Sequence, residues 1–365
     1  MKKTMAMLLA LLLVAVMLPV TAMAEEVTTA EALQAAVEAG GEVTLGADIT
    51  ASITIPADKT VTLNLNGKTL TNEDGKDTIT VALGGTLTIE GTGTVDNVSH
   101  GRAALYNNGT VTINGGTFTR SEEKGTAKPN DSANGNSWYT ICNHGVMTVN
   151  AGATVTNTGT FSSVFENGYQ NYTGSDARQN YVAGTNNAAP KLTINGGTFE
   201  GGKITIKNDD GATLEINNGT FTNTWNRVVF NANEATINGG TFNTTEEGAM
   251  AVDTMGGSDV NKGLLTIAGG TFNGKVTKDA GSTVTVSGGT FKKGVDESYI
   301  VDGKKLDANG NVVPESITII VPSEGGSTAT TPEKNPSTGA NDFVGAAVAV
   351  AVISALGAAA VVRKK

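Results

Sequence analysis

The sequence predicts an all-β fold built as a solenoid of stacked coils, and three observations carry that prediction. The phrase Asn114-Gly115-Gly116-Thr117-Phe118 follows a short apolar/threonine alternation, Val111-Thr112-Ile113, and returns at 195–199 and 238–242. Altered copies stand at Asn217, Ala268 and Ser287, and weaker ones at Gly46, Asn66, Glu90 and Asn150. The intervals between these anchors are 20, 24, 24, 36, 45, 22, 21, 30 and 19 residues, a solenoid period with a few long exceptions that read as loop insertions. The 365 residues include 47 glycines yet are only 16% charged and 5% aromatic, a turn-rich composition suited to short strands.

Each repeat reads as strand, corner, strand. In Leu192-Thr193-Ile194-Asn195-Gly196-Gly197-Thr198-Phe199, Leu192 and Ile194 share one face, Thr193 takes the other, and the Asn-Gly-Gly corner supplies the positive φ that β-branched residues cannot reach. No repeat holds a 3.6-residue period, and the Leu-x-x-Leu-x-Leu pattern of a leucine-rich repeat is missing. Such a coil buries its inward Leu, Ile, Val and Phe only by lying on the next, with strands pairing in parallel about 4.8 Å apart. Roughly ten coils then make a rod on the order of 50 Å long.

A second register supports the stack. Leu105-Tyr106-Asn107-Asn108-Gly109 matches Ile141-Cys142-Asn143-His144-Gly145, and Ile206-Lys207-Asn208 and Val229-Phe230-Asn231 take similar places later. Asn107, Asn143, Asn208 and Asn231 are therefore expected either to form an asparagine ladder, each amide bonding the coils above and below, or to serve as ordinary turn residues.

Taken in order, residues 1–24 read as a secretory signal peptide: Lys2 and Lys3, an apolar run from Met5 to Val20, and Ala22-Met23-Ala24 as a small-x-small cleavage site before Glu25. Residues 25–41 hold a capping helix over 28 to 40, with Thr28 and Glu31 as a capping box, Ala30, Leu33, Ala36 and Val37 as the apolar stripe, and Gly40 as the stop. Open solenoid ends expose core and unpaired backbone, so this helix is expected to cover the first coil. The coils occupy 42–314. Insertions of about 15, 24 and 9 extra residues are expected near 119–138, 157–190 and 244–262. The first two flank one coil and hold or adjoin Trp138, Tyr139, Tyr169, Tyr172 and Tyr181, including four of the six tyrosines. A terminal hairpin or last coil around Tyr299-Ile300-Val301 and Val312-Val313 is expected to close the far end. Residues 315–334 form a spacer rich in Ser, Thr, Gly, Pro and Glu.

The coils, over about residues 27 to 300, resemble the right-handed parallel β-helix of the pectate-lyase-like families, which implies the handedness and cross-section. In 335–365, Asn335-Pro336-Ser337-Thr338-Gly339 precedes an apolar run from Phe343 to Val362 and the basic end Arg363-Lys364-Lys365. An apolar run of that length spans a bilayer, with the basic end cytoplasmic. The triplet resembles the cell-wall sorting signal of Gram-positive surface proteins, with Asn335 where Leu is usual. That resemblance implies attack of a sortase cysteine on the Thr338 carbonyl, release of Gly339 onward, and transfer to a cell-wall peptide amine. Location in the cell wall, or on the outer face of the membrane if the tail is retained, follows from it.

The processed chain, Glu25 to Thr338, loses Lys2, Lys3, Arg363, Lys364, Lys365 and Asp342, so basic residues fall from 25 to 20, acidic ones from 35 to 34, and the net charge becomes −14. A nucleic-acid partner is disfavoured; neutral glycans and host-surface receptors remain open. Cys142 is the only cysteine, expected to pack as a small apolar residue, and with His100 and His144 the only histidines no transition-metal site and no cofactor are expected.

Because pectate-lyase-like proteins include lyases and hydrolases, catalysis has to be weighed. The adjacent pair Asp209-Asp210 also reads as an ordinary Asn-Asp-Asp-Gly turn, and Ser99-His100-Gly101 and Asn143-His144-Gly145 precede it, whereas a Gly-His-Gly motif follows the aspartates in the hydrolases. No catalytic residue is assigned. The leading expectation is a non-catalytic adhesin or glycan-binding rod that uses the aromatics of the central insertions, although those rings could equally pin their own loops. The alternatives are a polysaccharide lyase or hydrolase and a structural spacer.

Overall fold

Alternation of apolar residues with threonine along each short strand sorts the chain into an apolar inside and a hydroxyl-bearing outside. The computed structural model describes residues 26–122, 138–157, 163–168, 190–209, 211–257 and 261–315, all within one compact unit ending at Glu315. Among them the strands form three parallel sheets of 11, 10 and 9 strands, and successive coils contribute one strand to each in turn, a right-handed parallel β-helix. One coil shows the pattern: Thr213–Ile216 enters the eleven-stranded sheet, Thr220–Asn223 the ten-stranded and Arg227–Asn231 the nine-stranded, before Glu234–Ile237 begins the next. The expected coil had two strands around one corner. The second register, Leu105-Tyr106-Asn107 and its counterparts, is the third strand.

Identical registers stack identical residues. Leu192 and Ile194 sit on Leu214 and Ile216, which sit on Ala235 and Ile237, all buried. In the ten-stranded sheet Phe199, Phe221, Phe242, Phe272 and Phe291 form a column, with centroids 4.8 to 4.9 Å apart and rings within 11° of parallel. The coil spacing imposes that separation, and each ring contributes about 1.5–3 kcal/mol by burial.

The two corner glycines serve different ends. At Gly239 a Cβ would meet the Asn217 carbonyl oxygen of the preceding coil at 2.5 Å, so the first glycine lets coils approach. Gly240 has φ +99°, a conformation costly for any residue with a Cβ.

The nine-stranded sheet carries a buried amide column. Asn107 Nδ2 donates to Asn143 Oδ1 at 2.7 Å, Asn143 to Asn167 at 2.7 Å, Asn167 to Asn208 at 2.8 Å and Asn208 to Asn231 at 2.8 Å. Its central member, Asn167, was missed because its strand, Phe165–Asn167, lies inside the stretch 157–190 that reads as an insertion. A second column runs along an exposed corner in the opposite sense: Asn238 donates to Asn217, Asn217 to Asn195, Asn195 to Asn150 and Asn150 to Asn114.

The first coil lies under α1 (Ala30–Ala39), whose Leu33 and Val37 are buried against the core, with Ala30 and Ala36 packed beside them. The N-cap is Thr29, not Thr28: Thr29 is extended and its Oγ1 accepts from Ala32 N at 3.2 Å. The start shifts because Glu26–Val27 is drawn into the eleven-stranded sheet, pairing with Thr44 and Leu45. At the far end, Lys304–Leu306 and Val312–Pro314 form an antiparallel hairpin, and bridges from Val286 to Ile300 and from Thr290 to Asn311 lay this segment on the last coil.

Two expected insertions need redrawing. The stretch 157–190 contains the strand Phe165–Asn167, and 244–262 contains Met250–Thr254; both belong to the nine-stranded sheet. Phe165 and Val252 point into the core as their neighbours in register do, so these stretches supply rungs of the coil as well as extra length. Among the described residues no helix is long and apolar enough to cross a membrane. The expected signal peptide, spacer and sorting signal lie outside the described residues, as do Tyr169, Tyr172 and Tyr181.

Candidate functional site

Strand alternation fixes one outward residue per coil at the middle of the nine-stranded sheet, and register aligns these into a row. The row reads Thr54, Thr80, Tyr106, Cys142, Glu166, Lys207, Phe230, Asp253, Thr277. Threonine, the ordinary outward residue of this fold, holds the ends. The six central positions carry aromatic, thiol and charged groups instead. The two central extra segments border part of this row: in sequence the first lies between Gly116–Thr119 and Ile141–Asn143, before the strand of Cys142, and the second between Phe165–Asn167 and Lys191–Ile194, after the strand of Glu166.

The upper part of the row is roofed. Trp138 and Tyr139 are buried and join Ala103, Tyr106 and Cys142 in an apolar cluster separate from the main core. The Trp138 and Tyr139 rings meet edge-on at 5.7 Å, and Tyr106 meets the His144 ring edge-on at 5.0 Å. Of the aromatics assigned to ligand contact, Trp138 and Tyr139 thus cover the sheet. Cys142 lies outside the main core but is packed under these rings, 1% exposed.

Beside this roof lies a polar cluster. His144 Nε2 is 2.9 Å from Glu166 Oε2, and both side chains are essentially without solvent contact. Burial pushes the Glu166 carboxyl above the ordinary glutamate value, against the opposing pull of His144. Lys207 pairs with Asp209 and donates to Tyr139 Oη at 3.4 Å, with its ammonium 5.9 Å from the centre of that ring. Burial pulls Lys207 down, but Tyr139, Asp209 and Glu166 together hold it above the ordinary lysine value. Asp209 is therefore the ion-pair partner of Lys207; Asp210 lies outside the described residues.

Further along, the row opens. Phe230 is half-buried, the Arg227 guanidinium lies 5.6 Å from its ring centre, and Arg227 Nε donates to Asp253 Oδ2 at 2.6 Å. Thr277 Oγ1 donates to the other Asp253 oxygen at 2.8 Å. At the start of the same strands a cleft of about 540 Å3 opens between the Glu246–Glu247 turn, Lys275 and Lys293. Lys275 pairs in register with Met250, and Met250 with Arg227.

No family model matches this chain, and no curated protein or solved structure matches it either. The site is therefore read from its own residues. Among those described, no three His, Cys, Asp or Glu side chains converge as a metal-holding group. Sequence reasoning missed His144 with Glu166, and Arg227 with Asp253, because their members lie 22 and 26 residues apart and only the coil register brings them together.

Proposed function

We propose that this chain is an exported, wall-attached binding protein of the pectate-lyase-like β-helix type, which engages a glycan or a host-surface receptor through the outward face of its nine-stranded sheet. The observation that carries the reading is the row itself: threonine at both ends and six consecutive departures from it, with Cys142 and Glu166 on the strands that adjoin the two central extra segments. Loops on a rigid scaffold are where recognition concentrates. The signal peptide and the Asn335 to Gly339 motif with its apolar and basic tail support display through a sortase, which would leave Thr338 joined to a cell-wall peptide.

The test has two arms. Cell fractionation of a Thr338→Ala variant is expected to move the protein from the wall to the membrane fraction, and an unchanged wall fraction removes the sorting assignment. Glycan-array and host-cell binding are expected to weaken in Lys207→Ala and in Tyr169→Ala/Tyr172→Ala. Binding that all these changes leave intact removes the face.

A second reading, a polysaccharide lyase or hydrolase, is favoured by the His144–Glu166 pair beside Lys207, since a carboxyl group displaced from its ordinary range is the raw material of acid–base catalysis. Against it, Glu166 is 0% and His144 1% exposed, so neither faces a substrate groove. Release of reducing ends or unsaturated products from pectins, lost in Asp209→Asn, would establish this reading.

A further inference from the structure

We infer that the open end of the row, at Phe230, Arg227 and Asp253, is a subsite for one uncharged pyranose ring. The inference rests on the binding reading above and names its ligand class. Phe230 is an outward residue, half-buried between Lys207 and Asp253 in register. An aromatic ring in that setting offers an apolar face to the C–H face of a sugar. Arg227 spends only Nε on Asp253, so both Nη groups remain to donate to ring hydroxyls. Asp253 and Thr277 stand next in register, and their oxygens accept from hydroxyl protons.

Charge selects within the sugars. Each cation of the row has its own carboxylate, Arg227 with Asp253 and Lys207 with Asp209, so no surplus positive charge awaits a uronate. Glu166 is fully buried against His144, so it presents no carboxylate to a ligand on the row. The processed chain, at −14, repels acidic polymers at longer range. The cleft beside Lys275 likewise matches two lysines with two glutamates.

The experiment presents the purified full-length chain with neutral gluco-, xylo-, manno- and galacto-oligosaccharides and with oligogalacturonate, by array and then calorimetry. A neutral oligosaccharide is expected to bind, Phe230→Ala to weaken it about tenfold, and Phe230→Trp, which enlarges the ring, to hold or improve it. Arg227→Met is expected to weaken it as well, and the melting temperatures of all three variants report whether the coil stack persists. Preference for oligogalacturonate overturns the inference. So does neutral-sugar binding that Phe230→Ala and Arg227→Met leave unchanged, although the glycan-binding reading then stands with its site elsewhere. Binding of host protein receptors without any sugar defeats the inference and keeps the face; binding of nothing defeats both.

Discussion

Asn143 donates its side-chain amide to Asn167 Oδ1 at 2.7 Å, across 24 residues of sequence and one step of the stack, with both side chains fully buried. The same amide also reaches the Lys191 carbonyl oxygen at 3.1 Å, so one side chain ties a neighbouring coil and satisfies a corner backbone group. A buried amide is tolerated only because every rung repeats this arrangement.

Breaking the column at its centre is expected to be costly. Asn167→Ala removes the donor to Asn208 Oδ1 and to the Thr213 carbonyl oxygen and one acceptor of Asn143 Nδ2, a loss of about 2–4 kcal/mol. The equivalent change in the exposed column, Asn195→Ala, is expected to cost less than about 1 kcal/mol, because water replaces the lost bonds. Urea unfolding of the two variants side by side checks the contrast; equal losses would refute the buried column as a source of stability.

The column stops two strands before the sheet ends. Thr254 follows Asn231 in register, and its buried Oγ1 has no hydrogen-bond partner, while Asn231 Nδ2 donates only to the Leu264 carbonyl oxygen at 3.0 Å. Thr254→Asn is expected to add a sixth rung and raise stability by about 1 kcal/mol, read as a higher urea midpoint at constant slope.

The phenylalanine column tests how tightly coils are coupled. Phe242 is stacked between Phe221 and Phe272 and is fully buried. Phe242→Ala is expected to cost about 3–5 kcal/mol, since rings held at the coil spacing cannot close over the cavity. A loss below about 1 kcal/mol, measured by the same unfolding method, would show that the coils collapse onto the gap.

Glu166 sets a pH dependence. Its folded carboxyl holds its proton to higher pH than it does in the unfolded chain, so the folded state binds more protons between the two values. Stability from this group is fully present below the ordinary glutamate value of about 4.3 and falls as pH rises through the folded value. The charged and titratable groups acting on it are His144, Asp209 and Lys207. Glu166→Gln removes the loss, so its melting temperature is expected to exceed that of the parent by on the order of 1–2 °C at pH 7 and to match it near pH 4. Calorimetry at both values decides, and a gain of equal size at pH 4 would contradict the assignment.

The one-dimensional pattern was enough for the stacked coils, the apolar interior and the helix over the first coil. Those features depend on alternation, corner glycines and period, which are local and repeated: Leu192-Thr193-Ile194 before Asn195-Gly196-Gly197 says the same thing wherever it recurs. Four of the five buried asparagines were legible for the same reason, and Asn167 was not, because its short strand stands inside the long interval between the corners at Asn150 and Asn195. The row from Tyr106 to Asp253 was decided only by the tertiary structure. Its members stand in strands of varied sequence separated by unequal intervals, and parallel pairing alone converts those intervals into a single step. Burial of Trp138 and Tyr139 was decided there as well, since a ring's exposure depends on what the neighbouring coils place against it.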